Sequence, residues 1–222
     1  MFSNASTKRE RTRELISGIA VASFRERGYD ATTIRLIAAE AGLSVGAAHY
    51  HFPSKNHLVQ ELYLQVQEAH RVAAIPLLET SEDLIDRLRI VFTTGLDGLE
   101  PYHPFAPEFL SAMVSPRSPI NPLSDDSAAA RDVVEDLFAA AASGARNRPP
   151  AELTAALPGA LFLAYLLLAL FWVYDTSPER VRTRRLLDRG LRLLRAALPL
   201  TRIPVLRATV RDLLALVAEV RP

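Results

Sequence analysis

The stretch Thr33–Phe52, TIRLIAAEAGLSVGAAHYHF, contains two short apolar segments joined at a single glycine. Ile37 has the spacing of an inner-face residue, and the neighbouring Ala38 is small enough to let a second helix approach closely. Gly42 stands at the bend, where a positive φ is needed, and Ser44 is of the residue type that caps a helix N-terminus. The pattern predicts a helix-turn-helix whose second helix is short and narrow enough for the major groove of B-DNA.

Helical periodicity continues through the rest of the chain, without sustained period-2 alternation. Because Ala, Leu, Arg and Glu dominate, the sequence predicts an all-α fold of about nine to ten helices. An N-terminal three-helix helix-turn-helix domain over residues 1–53 would precede a larger helical domain for effector binding and dimerisation over residues 54–222. From the prolines, glycines and capping residues we expect helices over about 7–27, 34–41, 45–51, 55–73, 81–99, 105–114, 126–143, 151–174, 178–198 and 204–220.

Composition and charge narrow the class of protein. The chain has 222 residues, 49% of them hydrophobic, so it can bury a substantial core. It has no cysteine and no apolar signal-peptide core in its first 30 residues, and we therefore expect a cytoplasmic protein. The net charge is only +1, but residues 1–56 carry eight basic and five acidic side chains. This local excess is typical of a DNA-contacting module at one end of the chain.

Two motifs resemble catalytic or metal-binding patterns, and neither fits its surroundings. Residues 42–46, GLSVG, match the nucleophile elbow G-x-S-x-G, which requires a preceding buried strand. The preceding residues are helical, so a helix cap explains Ser44 better. His49 and His51 stand two apart on a helix and point in different directions, without a supporting carboxylate or cysteine pattern nearby. We expect no enzyme activity, no metal site and no cofactor.

The segment Leu153–Tyr174 has no charged residue over 22 positions, which is long enough to span a bilayer. It is either a span, which would make the protein a membrane-associated helical sensor, or a helix buried on all sides in a homodimer core. We favour the homodimer, without a membrane partner. The residues expected at its interface are Leu163, Leu167, Leu170, Phe171, Tyr174, Leu187, Leu191 and Leu194.

Aromatic and apolar residues recur along the middle of the chain, where Pro-rich loops could frame an entrance. Core packing is the simpler explanation for any one of them, but ligand sites between helices share this composition. As a set they predict a cavity for a small, mostly hydrophobic effector, in which Tyr102, His103 or Tyr165 could offer hydrogen bonds. The candidate effector-binding residues are Phe92, Tyr102, His103, Phe105, Phe109, Met113, Phe138, Phe162 and Tyr165.

The run Phe24–Leu58, FRERGYDATTIRLIAAEAGLSVGAAHYHFPSKNHL, strongly resembles the N-terminal pattern of the TetR family of bacterial regulators. The match includes the Gly-Tyr turn, the Thr-Thr pair, Ala-Gly-Leu-Ser, Tyr-His-Phe and Ser-Lys, in order and without a gap. The resemblance implies a dimeric, ligand-responsive regulator that binds double-stranded DNA, usually a repressor of an inverted-repeat operator. It also implies that the last paired helices form a four-helix dimer interface.

The same resemblance implies roles for individual DNA-binding residues. Phosphates would be held by Thr33, Tyr50 and Lys55, and the groove would be faced by Ser44, Val45, Gly46, Ala47 and His49. Val45 and Ala47 replace residues that are often polar or basic in the family, and His49 replaces a frequent tyrosine. With fewer long donors, we expect thymine-methyl contacts and DNA shape to contribute more to recognition.

Overall fold

A computed structural model describes residues 7–219, which form ten α-helices and no strand. The all-α prediction is confirmed. The ends of the two predicted domains, residues 1–6 and 220–222, lie outside the described residues. The helices are α1 Lys8–Ala31, α2 Ile34–Glu40, α3 Val45–His51, α4 Lys55–Leu78, α5 Leu84–Leu99, α6 Ala106–Met113, α7 Ala128–Ser143, α8 Ala151–Val173, α9 Val181–Ala197 and α10 Pro204–Glu219.

Several helix ends differ from the expected ones for local reasons. The helix α4 runs five residues past the expected end, with Pro76 on the exposed side of its last turn. The helix α5 begins at Leu84 because the carboxylate of Asp83 caps it. The expected loop before α6 is a 3₁₀ helix, Glu100–Phe105. The helix α9 begins after Pro178, because Glu179 and Arg180 adopt positive φ and interrupt the turn.

The helix-turn-helix is built as the local sequence predicts. Gly42 has a φ of +66° in the turn, and the amide of Leu43 donates to the Ala38 carbonyl at 2.9 Å, which closes the bend. The Ser44 hydroxyl accepts from the Ala47 amide at 3.1 Å and caps α3. Ala48 is fully buried on the inner side of α3, so the opposite side of that helix faces outward.

The described residues form two apolar cores, and α4 contributes to both of them. Leu58 and Leu62, in its first half, pack with α1 to α3 and with Phe109 of α6. Ala74 and Leu78, in its second half, pack with α5, α7, α8 and α9. We call the part built on α1 to α3 the helix-turn-helix lobe and the part built on α5 and α7 to α9 the larger lobe. A shift of α4 would therefore displace residues in both lobes.

The helices α8 to α10 expose much apolar surface. The helix α8 has a mean hydropathy of 2.2 over its most apolar window, but only 28% of that window is buried within the chain. On α9, Leu187 and Leu191 face the core while ion pairs from Arg184 to Asp97 and from Arg195 to Asp83 fasten the helix to α5. The described residues of α10 include no buried side chain.

Candidate nucleic-acid interface and effector cavity

The predicted DNA-binding residues lie on the outer side of the helix-turn-helix. Val45, Gly46, His49 and Tyr50 are exposed on or beside α3, and Ala47 is half-buried. Ser44 is exposed at the start of α3, and Thr33 occupies the equivalent capping position of α2, where its hydroxyl accepts from the Leu36 amide at 3.2 Å. Six of the eight predicted residues are thus exposed, and Ala47 and Lys55 are half-buried.

Two aromatic side chains on α3 are held differently. The imidazole Nδ1–H of His49 donates to the Pro53 carbonyl at 3.1 Å, which fixes its ring beside the end of α3. Tyr50 is 70% exposed, with the guanidinium of Arg9 5.6 Å from its ring centroid. The described residues contain no group of three or more histidines and carboxylates placed to hold a metal ion.

Lys55 is half-buried and binds Tyr29 at the end of α1. Its amine donates to the Tyr29 carbonyl at 2.9 Å and lies 3.8 Å from the centroid of the Tyr29 ring. Partial burial lowers the pKa of this amine, against the opposing effect of Asp30. The Tyr29 hydroxyl in turn donates to the Asn56 amide oxygen at 3.1 Å. Tyr29 is therefore fastened to the start of α4 at two points.

Arg13 is a structural residue that the sequence does not single out from its basic neighbours. Its guanidinium donates to the His51 carbonyl at 3.1 Å and to the Glu61 carboxylate at 2.5 Å, and it stacks on the Phe52 ring at 4.3 Å. These contacts join α1 to the end of α3 and to α4. The positive charge of Arg13 is therefore paired with the carboxylate of Glu61.

A cavity of about 600 Å³ lies between the two apolar cores, bounded by α4, α6, α7 and α8. Six of the nine predicted effector residues line it, and three do not. Phe92 and Phe138 pack on each other in the core with ring centroids 4.9 Å apart. His103 contacts Trp172 and accepts from the Arg180 guanidinium at 2.8 Å. The six that line the cavity are Tyr102, Phe105, Phe109, Met113, Phe162 and Tyr165.

The cavity lining is mostly apolar, with two polar groups of special interest. The Tyr165 hydroxyl is buried without a hydrogen bond of ordinary geometry, and burial raises its pKa; the nearby Gln67 amide acts in the opposite direction. Arg131 is the one charged residue among the described lining residues, and its guanidinium donates to the Ser124 carbonyl at 3.0 Å. Trp172, the single tryptophan of the chain, also lines the cavity. The helical periodicity of the sequence predicts that Arg131, Gln67 and Trp172 lie on helices, but it does not predict that they line the same cavity.

The predicted dimer residues fall into two groups. Those on α8 face outward, since Leu167, Leu170, Phe171 and Tyr174 are exposed and Leu163 is half-buried. Those on α9 face inward: Leu187 and Leu191 are buried in the chain's own core, and Leu194 packs against it. The exposed apolar residues of α9 are instead Leu186 and Leu193, together with Val181 at its start.

Models of known protein families match both the helix-turn-helix and the helical domain that follows it. Residues 19–62 match the family model described as "Bacterial regulatory proteins, tetR family". Residues 87–216 match the model described as "Tetracyclin repressor-like, C-terminal domain", which spans more than half of the chain. This second match includes the whole of α8, so the alternative of a membrane-associated sensor is not supported.

Curated relatives match mainly the N-terminal part. The HTH-type transcriptional repressor KstR2 of Mycobacterium tuberculosis is 32% identical over 85 residues, which are 38% of this chain and 42% of that protein. KstR2 of Rhodococcus jostii is 35% identical over 94 residues, which are 42% of this chain and 39% of that protein. The matches thus span less than half the length of these relatives. Both relatives are transcriptional regulators, in agreement with the prediction that the chain is not an enzyme.

Solved structures share the fold over most of the chain. Thermus thermophilus FadR, a TetR family repressor in complex with lauroyl-CoA, is 25% identical and has a TM-score of 0.63, covering 82% of this chain and 92% of that one. A tetR-family regulator from Streptomyces coelicolor, at 22% identity, also has a TM-score of 0.63 and covers 93% and 89% of the two chains. With a helix-turn-helix followed by a helical domain that both match the family models, the chain belongs to the TetR family of bacterial transcriptional regulators.

Proposed function

We propose that this TetR family regulator is a cytoplasmic homodimeric repressor that binds an inverted-repeat operator and is released by a small, mostly hydrophobic effector. The observation that carries the proposal is the position of α6. This helix lines the apolar cavity and also contacts the helix-turn-helix lobe through adjacent residues, Glu108 and Phe109. A ligand in the cavity could therefore alter the surface that would meet DNA.

On the DNA side, each subunit would place α3 in a major groove. The residues Ser44, Val45, Gly46, Ala47 and His49 would face the groove, while Thr33, Tyr50 and Lys55 would lie toward phosphates. Two subunits related by a two-fold axis require an inverted repeat, with half-site centres roughly 34–36 Å apart or with extra spacing. The exposure of Val45 and His49 supports this assignment, as does Ala48, which is buried on the inner side of the same helix.

On the effector side, the residues that line the cavity indicate the chemical class of ligand that it would bind. An apolar wall favours hydrocarbon, and Arg131 without a lining carboxylate favours a neutral or anionic ligand over a cation. The ring of Tyr165 lines the cavity, and its unpaired hydroxyl, which lies beside Gly95, would donate to an oxygen of the ligand once the ring turns toward the cavity. The acyl-CoA bound by Thermus thermophilus FadR has an apolar chain and acceptor oxygens of this type. We propose an apolar molecule carrying a carbonyl or carboxylate group.

Communication between the sites would use α6 and α4. Phe109 lines the cavity and touches the ring of Tyr29, which is fastened to Lys55 and Asn56 at the start of α4. A ligand that moves Phe109 would favour a different separation of the two recognition helices. A coupling of about 1–3 kcal/mol would change operator affinity roughly 5- to 150-fold.

The proposal is tested by selecting duplexes from a random pool with the purified protein and sequencing them. We expect an inverted repeat, and then a loss of affinity for it when candidate apolar acids are added. His49→Ala should relax the preference at one symmetric pair of positions, and Arg146→Ala, which removes an exposed charge in the other lobe, should leave it unchanged. A pool without any enriched sequence at low salt contradicts the DNA-binding proposal. An operator affinity unchanged at effector saturation contradicts the ligand response.

A further inference from the structure

The cavity opens on the side of α8 that faces away from the chain's own core. Among the described lining residues, only Val114, Leu167 and Leu170 are exposed. Leu167 is 67% exposed although it lines the cavity. The opening therefore lies between the end of α6 and the outer face of α8. The chain leaves this opening uncovered by any of its described residues.

The rim of the opening continues into a larger apolar face. Leu167, Phe171 and Tyr174 are spaced as one stripe on α8, and α9 exposes Leu186 and Leu193 on one side, flanked by the exposed Arg182 and Arg189. Tyr174 is 71% exposed and Leu193 is 73% exposed. Full burial of each such side chain contributes about 1.5–3 kcal/mol of favourable free energy. Covering this face with a partner would therefore be strongly favourable.

A second copy of the chain fits this face better than an unrelated protein. Beyond Glu152 the helix α8 has no charged residue, so two copies can be apposed across a two-fold axis without like-charge repulsion on that helix. The same axis is required for reading an inverted repeat. The face that carries the dimer is then also the face onto which the cavity opens.

We infer that the partner subunit closes the effector cavity, so that the ligand site is complete only in the dimer. The inference rests on the proposed homodimer and effector cavity, and adds that α8 of the partner covers Leu167 and Leu170. Linkage then requires that effector binding strengthens the dimer by the same factor by which dimerisation strengthens effector binding. A dilute monomer would lose its ligand and its operator together.

The absence of cysteine from the chain allows a direct test with single introduced thiols. Leu167→Cys places a thiol at the rim, and Ala130→Cys places one on the buried wall of the cavity. Val72→Cys is the matched control, since Val72 is 72% exposed on α4 and lies outside the cavity. The rate of alkylation by iodoacetamide is measured across a dilution series, with the oligomeric mass determined on the same samples.

We expect alkylation at positions 167 and 130 to be at least about tenfold slower in the dimer than in the monomer, with no change at position 72. Adding Phe171→Glu or Leu193→Glu, neither of which lines the cavity, should produce a folded monomer in which both protected thiols react quickly at every concentration. Circular dichroism verifies the fold of each variant.

The outcomes separate this inference from the function on which it rests. A dimer in which the thiol at position 167 or 130 reacts as fast as in the monomer contradicts the closing of the cavity and leaves the homodimer intact. A protein that stays monomeric at all concentrations contradicts both. Protection at both positions that appears with the dimer mass and disappears in the two glutamate variants supports the inference.

Discussion

The carboxylate of Glu108 on α6 accepts a hydrogen bond of 2.9 Å from the backbone amide of Tyr29 at the end of α1. The next residue, Phe109, lies edge-on to the Tyr29 ring with centroids 5.5 Å apart, and it also lines the cavity. Two adjacent residues of one short helix thus join the cavity to the helix-turn-helix lobe. This joint is the physical basis of the proposed ligand response.

Removing the carboxylate should uncouple the two lobes. In Glu108→Ala we expect effector binding to be retained while the effect of effector on operator affinity falls about tenfold, or roughly 1.4 kcal/mol of coupling. Operator affinity is measured by fluorescence anisotropy with and without saturating effector. Ser111→Ala, an exposed change on the same helix, is the control. If the effector changes operator affinity as much in Glu108→Ala as in the parent protein, another contact must couple the two sites.

The close approach of Glu108 can be tested through two glycines that both have positive φ. Gly28 has a φ of +78°, and a Cβ atom there would lie 1.8 Å from the Glu108 carboxylate, whereas a Cβ at Gly42 would meet nothing within 4 Å. Gly42→Ala should therefore lose only the strain of a positive φ, about 1–2 kcal/mol of unfolding free energy. Gly28→Ala should lose more, through the collision and also because its ψ of 178° lies in a region nearly confined to glycine. Adding Glu108→Ala to Gly28→Ala should restore the part of the loss that is due to the collision. Urea unfolding measures all three variants. Equal losses would mean that the collision with Glu108 is relieved without cost.

Lys55 offers a test of phosphate contact. Lys55→Ala should weaken binding to all duplexes and reduce the slope of log affinity against log salt by about one unit. Because the amine also binds the Tyr29 carbonyl, the variant should be slightly less stable. Tyr50→Ala, at an exposed position, should lower affinity without loss of stability. A Lys55→Ala protein with the parental salt slope would restrict this lysine to its contact with Tyr29.

Tyr165→Phe separates stability from ligand recognition. Because the hydroxyl is buried without a hydrogen bond, its removal should leave the unfolding free energy unchanged or raise it by up to about 1 kcal/mol. Affinity for an effector with a carbonyl or carboxylate oxygen should fall about tenfold, as measured through the fluorescence of Trp172. A clear loss of stability would indicate that the hydroxyl is paired in the free protein.

His70 should make stability depend on pH. Burial lowers the pKa of this imidazole, with its hydrogen bond to the Val91 carbonyl acting in the opposite direction. The unfolded chain binds a proton near the ordinary pKa of about 6.5, while the folded chain binds it only at a lower pH, so stability is full above that value and falls as the pH drops below it. Stability should therefore fall as the pH drops from about 7.5 to about 5.5, and His70→Gln should remove that component of the pH dependence. Equal pH dependence in both proteins would contradict the assignment.

How much of the molecule could be predicted depends on how local each feature is. Gly42 and Ser44 act within one turn of helix, and they behave as their residue types require. The interface on α9 is different, because Leu186 and Leu187 are adjacent in sequence but about 100° apart around the helix. Ion pairs from α9 to α5 decide which of the two faces outward, and these pairs join residues far apart in the chain.

The cavity is the least local feature of all. Phe92, Phe138 and Phe162 are equally apolar in sequence, but two fill the core and one lines empty space. Whether a phenylalanine meets another ring or a cavity depends on how four helices are spaced. Arg131 belongs to the site because the loop carbonyl of Ser124 holds its guanidinium there, which periodicity does not reveal.

The central claim is that two copies of α3 read one operator as a symmetric pair. The most direct measurement compares the affinity of the protein for the selected inverted repeat, for a single half-site, and for a repeat with five base pairs inserted between its halves. Since a turn of B-DNA is about 10–10.5 base pairs, the insertion places the two half-sites on opposite sides of the duplex. We predict tight binding of two subunits to the intact repeat and a fall to half-site affinity after the insertion. Equal affinity for all three duplexes would contradict the claim.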